Sequence, residues 1–284
     1  MSYQDIFYTS ADKALTLYAR DYNPSGGDPV LCLHGLTRNS ADFEWLAEHL
    51  KEGHRVIVAD QRGRGRSAWD SEKARYNLLV YAQDMVTLLD HLNIPRVTII
   101  GTSMGGLIAL LMAGWVPHRI KAIVLNDVGP KLSPEGLARI RGYVGKGKPI
   151  TNWAEAAAAT QAINAEAFPD YGPDDWMAFA KRTFVETDGV PVPAYDPAIA
   201  EGMAPGSEAV APPELWELWA KLSAIPILTV RGGRSDLLSA ETLQRMADAH
   251  PNFTSVTIAN CGHAPMLDEP EAVAAIGNFL KNSD

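Results

Sequence analysis

Apolar positions along this chain follow two periods. Short runs rich in β-branched and aliphatic residues at 30–33, 55–59, 96–100, 120–125, 226–230 and 253–258 read as buried strands. Between them, residues 41–50, 76–92, 104–115, 239–250 and 270–280 repeat their apolar positions every three to four residues and read as helices. Asn39 or Ser40 is placed to cap the first of these, and Pro270 sits near the first turn of the last. Ahead of them, residues 6–8 and 14–22 alternate in parts, which predicts an N-terminal hairpin turning at Ser10-Ala11-Asp12-Lys13. Eight strands alternating with helices of this length imply right-handed crossovers and an α/β fold with a mostly parallel sheet.

The alternation stops at Gly129. From there to Leu222 the pattern predicts helical pieces at 154–167, 174–183 and 213–222, joined by Pro/Gly-rich connections, and no strand. A structureless loop of that length is foreign to a compact domain, so the segment reads as a helical insertion. The expected organisation is a core of 1–128 and 223–284 carrying an inserted lid, 129–222. Open α/β sheets bind ligands beyond the carboxyl ends of their strands, where this insertion departs and returns.

Composition narrows the partners. The 284 residues carry a formal net charge of −9, and the sequence pI is near 5.3, which argues against nucleic acid or an anionic membrane surface as the main partner. Two cysteines, Cys32 and Cys261, make neither a disulfide framework nor a four-ligand zinc site and are expected as buried free thiols. The seven histidines show no metal-ligand spacing. The residues from Met1 to Asp5 contain neither a basic nor an apolar targeting region, and no apolar run is long enough to span a bilayer. The expectation is a cytoplasmic protein acting on a small molecule without metal or cofactor.

The candidate chemistry lies where strands end. Residues 97–100 run into Gly101-Thr102-Ser103-Met104-Gly105-Gly106 and then into an apolar helix, the strand–turn–helix setting in which a serine becomes a nucleophile. Glycines on either side let strand and helix approach closely, and the N–H of Met104 at the helix start faces any oxyanion formed beside Ser103. The turn Arg231-Gly232-Gly233-Arg234-Ser235-Asp236 and the loop Asn260-Cys261-Gly262-His263 follow two later strands. Ser103, Asp236 and His263 therefore meet along one edge of a parallel sheet. Histidine can take the serine proton and return it to a leaving group, while a carboxylate fixes its tautomer. A further loop, Asp60-Gln61-Arg62-Gly63-Arg64-Gly65-Arg66-Ser67, alternates glycines with cations. It lacks the Lys-Ser/Thr ending of a phosphate-binding loop and reads as a structural turn with Arg62 paired to an acid.

Taken together these motifs resemble the α/β-hydrolase superfamily over nearly the whole chain. His34-Gly35 is similar to its oxyanion loop, Asp60-x-Arg62-Gly63-x-Gly65-x-Ser67 to the signature after its fourth strand, and the Ser103 turn to its nucleophile elbow. Gly233-Arg234-Ser235-Asp236 and Gly262-His263 are similar to its acid and histidine loops. The resemblance implies Ser103, His263 and Asp236 as the catalytic residues and the N–H groups of Leu36 and Met104 as the oxyanion donors. Asp127, after the sixth strand, is the alternative acid, since some family members supply it from there. A serine nucleophile disfavours the dehalogenase and epoxide hydrolase chemistries of the superfamily, which use aspartate. The implied activity is hydrolysis of a small carboxylic ester or lactone. Carbon–carbon bond hydrolysis of ring-fission products, acyl transfer with the same triad, and a ligand-binding receptor without turnover are the alternatives. The inserted segment carries Trp153, Phe168, Trp176, Phe179, Phe184, Trp216 and Trp219, which either pack together as its own core or line an apolar pocket. Trp153 and Trp176 are thus candidate substrate contacts. Arg38 joins them as a cation able to meet a substrate carboxylate, or else is a salt-bridged surface residue.

Overall fold

The computed structural model describes residues 3–203 and 214–283. An eight-stranded sheet forms its centre. The strands are β1 (Tyr3–Thr9), β2 (Thr16–Tyr22), β3 (Pro29–Leu33), β4 (Arg55–Asp60), β5 (Val97–Thr102), β6 (Ile120–Asn126), β9 (Ile227–Gly232) and β10 (Phe253–Ile258). Their spatial order is β1-β2-β4-β3-β5-β6-β9-β10, with β2 antiparallel to both its neighbours and all other pairings parallel.

Every residue of β5 is buried, because a central parallel strand is covered on both faces. Alternate side chains divide the core accordingly. Leu31, Leu33 and Ile99 pack with α2 (Leu78–His91) and α3 (Met104–Trp115) on one side. Val30, Cys32 and Ile100 pack with α1 (Glu44–Leu50) and α9 (Pro270–Asn282) on the other. Helix starts follow local chemistry. Asn39 is the cap of the first helical stretch, accepting from Ala41 N at 2.9 Å over a 3₁₀ turn that leads into α1, and Asn77 caps α2 by accepting from Val80 N at 3.0 Å.

Between β6 and β9 lie α4 (Pro134–Tyr143), α5 (Trp153–Asn164), α6 (Pro173–Thr183) and α7 (Trp216–Lys221). The expectation of no strand here is wrong. β7 (Phe184–Thr187) and β8 (Val190–Pro193) form a hairpin whose turn places Asp188 and Gly189 at φ 51° and 78°. Asp-Gly is a hairpin signal, but strands this short, with prolines at 191 and 193, escape a periodicity reading. The predicted helix at 213–222 begins on Pro213, which lies outside the described residues. The described part, α7, packs onto the core, since buried Trp219 meets the rings of His250 and Phe253 at 5.1 and 5.7 Å. No described helix is long and apolar enough to cross a membrane.

Candidate active site

The turn after β5 holds Ser103 at φ 51°, ψ −113°, a region that disfavours a side chain. Two glycines make the turn possible. A Cβ on Gly105 would stand 2.0 Å from the carbonyl oxygen of Leu33, and one on Gly101 would stand 2.5 Å from the Gly105 backbone, so α3 could not approach β3 and β5 with either residue larger. Ser103 N–H donates to Asn126 O at 3.0 Å, which fastens the elbow to the end of β6.

His263 comes from the loop after β10, 160 residues later in the chain, and its Nε2 lies 2.8 Å from Ser103 Oγ. On the other side of the ring, Nδ1 lies 2.8 Å from Asp127 Oδ2. An ionised carboxylate only accepts, so the Nδ1 proton is assigned to the Asp127 bond, leaving Nε2 to accept from the serine hydroxyl. Asp127 is fully buried and takes two further bonds, from Gly232 N–H to Oδ1 at 2.9 Å and from Ser235 Oγ to Oδ2 at 2.5 Å. Asn126 Nδ2 donates to Pro265 O at 2.8 Å, fixing the histidine loop against the end of β6.

Asp236, the acid expected from its loop, does not reach His263. Its carboxylate faces Arg139 of α4, with Arg139 Nη2 2.8 Å from Oδ1. Burial raises its pKa, but the Arg139 guanidinium outweighs that and holds the carboxyl below its usual range. The residue before it, Ser235, is the one aimed inward, donating to Asp127 while accepting from Leu237 and Leu238 N–H at 3.2 and 3.0 Å. Successive residues of a tight turn point to different sides, and α4 claims the outer one. Sequence reasoning missed Ser235 as a contributor to the site, and nothing local marks it out from other loop serines.

Leu36 and Met104 flank Ser103. Among the described residues the N–H of neither finds a protein acceptor, and a Cβ on Gly35 would lie 3.8 Å from Ser103 Cβ, so this loop runs directly past Ser103. His34 sets the loop's direction. Gln61 N–H donates to His34 Nε2 at 3.0 Å, so Nδ1 carries the proton and donates to Gly35 O at 2.7 Å. The peptide that Gly35 O shares with Leu36 N is thereby oriented, because C=O and N–H of a trans peptide point in opposite directions. Burial pushes the His34 pKa down to about 4, keeping the ring neutral.

A cavity of roughly 610 Å³ opens over Ser103 and His263. Ile140, Tyr143, Ile163, Phe179, Phe184 and Tyr195, all from the segment between β6 and β9, form much of its wall. Of the candidate substrate contacts, only Arg38 lines it, and its Nη1 is paired to Asp42 Oδ1 at 2.7 Å with the guanidinium 4.1 Å above the Phe179 ring. Trp153 is turned away, donating to Glu186 Oε2 at 3.0 Å, and Trp176 is buried against Tyr171 and Phe179. Trp176 therefore serves the packing of this segment, and Trp153 a surface hydrogen bond. Arg62 is a structural residue, as expected, held by Asp84, Asp70 and Asp12 at 2.8, 2.6 and 3.1 Å. Cys32 and Cys261 are buried free thiols. Among the described residues, no three His, Cys, Asp or Glu side chains converge as a metal site.

Comparison with known proteins agrees with this architecture. The chain is 38% identical over 89% of its length to a protein named 3-hydroxybutyrate-oligomer hydrolase from Cupriavidus necator, 90% of which is covered. It is 28% identical over 94% of its length to a 2-(acetamidomethylene)succinate hydrolase from Mesorhizobium japonicum, 92% of which is covered. A solved structure of an alpha/beta hydrolase from Novosphingobium aromaticivorans superposes with a TM-score of 0.91 at 44% identity, covering 99% of this chain and 98% of that one. The family model for the alpha/beta hydrolase fold matches residues 28–270, and the chain, a hydrolase, belongs to that family.

Proposed function

We propose that this chain hydrolyses a small carboxylic ester through an acyl-enzyme, with Ser103 as nucleophile, His263 as general base and acid, and Asp127 as the residue that orients the imidazole. The observation that carries the reading is the continuous pair of 2.8 Å contacts from Ser103 Oγ through the His263 ring to Asp127. Serine is a poor nucleophile at its own pKa, and a neutral imidazole whose far nitrogen is held by a buried carboxylate is suited to take its proton.

In the first step Ser103 Oγ adds to the ester carbonyl carbon while its proton passes to His263 Nε2. The carbonyl oxygen becomes an oxyanion between the N–H groups of Leu36 and Met104, the latter also at the positive end of α3. Collapse of this intermediate breaks the bond to the alkoxy oxygen, which leaves with the proton from Nε2. Water then adds to the acyl-enzyme by the same route and releases the acid and Ser103.

The segment 129–222 acts as the lid, because its side chains form much of the cavity wall above the nucleophile. A volume of roughly 610 Å³ with Ile140, Ile163, Phe179 and Phe184 in its wall suits an ester with an aliphatic body. Similarity to the 3-hydroxybutyrate-oligomer hydrolase makes short oligoesters of a hydroxy acid the first substrates to try. The test is a panel of those oligoesters, simple acyl esters and lactones, run with wild type and Ser103→Ala. Turnover of an ester by wild type, with a loss of about a thousand-fold or more in Ser103→Ala, supports the proposal. Equal turnover by both proteins rejects it.

A further inference from the structure

Two arginines in one loop, two residues apart, are both completely buried, yet their surroundings are opposite. Arg62 is neutralised by three aspartates. Arg64 pairs with no carboxylate among the described residues. Its Nε–H donates to Leu36 O at 2.9 Å, Nη1 donates to Arg62 O at 2.9 Å and to Tyr81 Oη at 2.8 Å, and Nη2 lies 3.6 Å from Met104 Sδ. The guanidinium is also 4.8 Å from the Tyr81 ring centroid. One planar cation thus spans the two residues, Leu36 and Met104, whose N–H groups flank Ser103.

A buried charge without a counterion is costly, and neutral acceptors recover only part of that cost. The site has a moment at which the missing anion appears, when the carbonyl oxygen of a bound ester takes a full negative charge beside these same residues. An interaction that is absent with the neutral ground state and strong with the oxyanion raises kcat without tightening substrate binding. The field of Arg64 already reaches this loop, where it opposes protonation of His34. The contacts are positional as well. The bond to Leu36 O fixes the carbonyl that follows the Leu36 N–H, complementing the bond from His34 to Gly35 O on the preceding peptide.

We infer that Arg64 is a positioning residue for the oxyanion site, holding the Leu36 and Met104 donors in place and adding, from behind them, a fixed positive charge to those of the His263 imidazolium and the start of α3. The inference rests on the ester-hydrolase reading above and adds to it a group that does not touch substrate.

The discriminating probe is an alkyl trifluoromethyl ketone, to which a serine nucleophile adds as a hemiketal whose oxygen occupies the oxyanion position. Arg64→Met, Arg64→Lys and Tyr81→Phe are compared with wild type for kcat and KM on an ester and for Ki of the ketone. Arg64→Met is expected to lower kcat about 30-fold to 100-fold with KM within about threefold, and to raise Ki by the factor by which kcat/KM falls. Arg64→Lys keeps the charge and is expected to recover part of both losses. Tyr81→Phe keeps the arginine but removes one of the two bonds made by Nη1, and is expected to show a smaller loss of the same kind. Across whichever variants fold, log Ki plotted against log KM/kcat has a slope near one. A slope near zero, with Ki unchanged while kcat or stability falls, shows a purely structural arginine and overturns the inference. The underlying reading has its own control: if the ketone binds Ser103→Ala as tightly as wild type, Ser103 is not the nucleophile and the whole assignment falls, whatever Arg64 does.

Discussion

Asp127 and His263 stand 136 residues apart, yet their side chains meet at 2.8 Å, and the carboxylate that meets the histidine comes from the end of β6 rather than from the loop after β9. That loop remains part of the arrangement through Ser235, which donates to the same carboxylate oxygen at 2.5 Å. The division is unambiguous in its consequence for mutagenesis.

Asp127→Asn is expected to lower kcat by about a thousand-fold to ten-thousand-fold, because an amide in this place stabilises neither the required tautomer nor the imidazolium. Asp236→Asn breaks an ion pair with Arg139 that is about one-third exposed and is expected to change kcat less than about fivefold. Steady-state kinetics of the two variants side by side decides the matter, and a large loss only in Asp236→Asn reverses the assignment.

Ser235→Ala removes one of the bonds to Asp127 and leaves the N–H groups of Leu237 and Leu238 without their shared acceptor. The expected result is a fall in kcat of about tenfold with little change in KM, since Asp127 loses orientation but keeps its charge. Unchanged kcat at full thermal stability would show that the Gly232 N–H and the His263 ring suffice to hold the carboxylate.

Ser103→Gly removes a side chain from a backbone position at φ 51°, ψ −113°. Relief of that strain is worth about 1 kcal/mol after the entropy cost of glycine, or about 2–4 °C in Tm for a chain of this size, while activity is lost. Scanning calorimetry checks the sign. A lower Tm in Ser103→Gly than in Ser103→Ala means that the elbow is unstrained.

His34 adds a dependence on pH. Its folded pKa, about 4, lies below the ordinary histidine value of 6.5, so the unfolded chain binds the proton more readily. The stability this neutral ring contributes is complete above pH 6.5 and is lost as the pH falls from 6.5 towards 4, at up to about 1.4 kcal/mol per unit. Denaturant unfolding of wild type and His34→Gln between pH 4 and 7 measures the difference. Parallel curves for the two proteins dispose of the claim.

Much of this molecule is legible along the chain because its causes are local or periodic. The apolar runs at 97–100 and 120–125 mark central strands whatever surrounds them, and the Gly101-to-Gly106 turn implies its own geometry, since only glycine tolerates the approach of Leu33 O at position 105. His263 is legible as well, because a Gly-His pair after the last strand ends on the same sheet edge as Ser103. The hairpin at Asp188-Gly189 was marked by its turn but hidden by strands of four residues each.

What remained was decided by direction. Asp127 and Asp236 both follow strand ends, and the resemblance of the Gly233-to-Asp236 loop to a family acid loop favours Asp236, with Asp127 as the alternative. The packing of α4 puts Arg139 against one and leaves the other under the His263 ring. The aromatics of the inserted segment divide in the same way, with Phe179 and Phe184 reaching the cavity while Trp176 packs against Tyr171 and Phe179 and Trp153 bonds Glu186 at the surface. Arg62 and Arg64 have the same chemistry and nearly the same address, and only their three-dimensional surroundings give the first three carboxylates and the second none among the described residues. Periodicity determines which face of an element is buried, so the chain by itself marked the sheet, the Ser103 turn and the loop that carries His263. The side on which a loop residue emerges, and the partner waiting there, depend on contacts between segments distant in sequence, and those only the folded structure supplied.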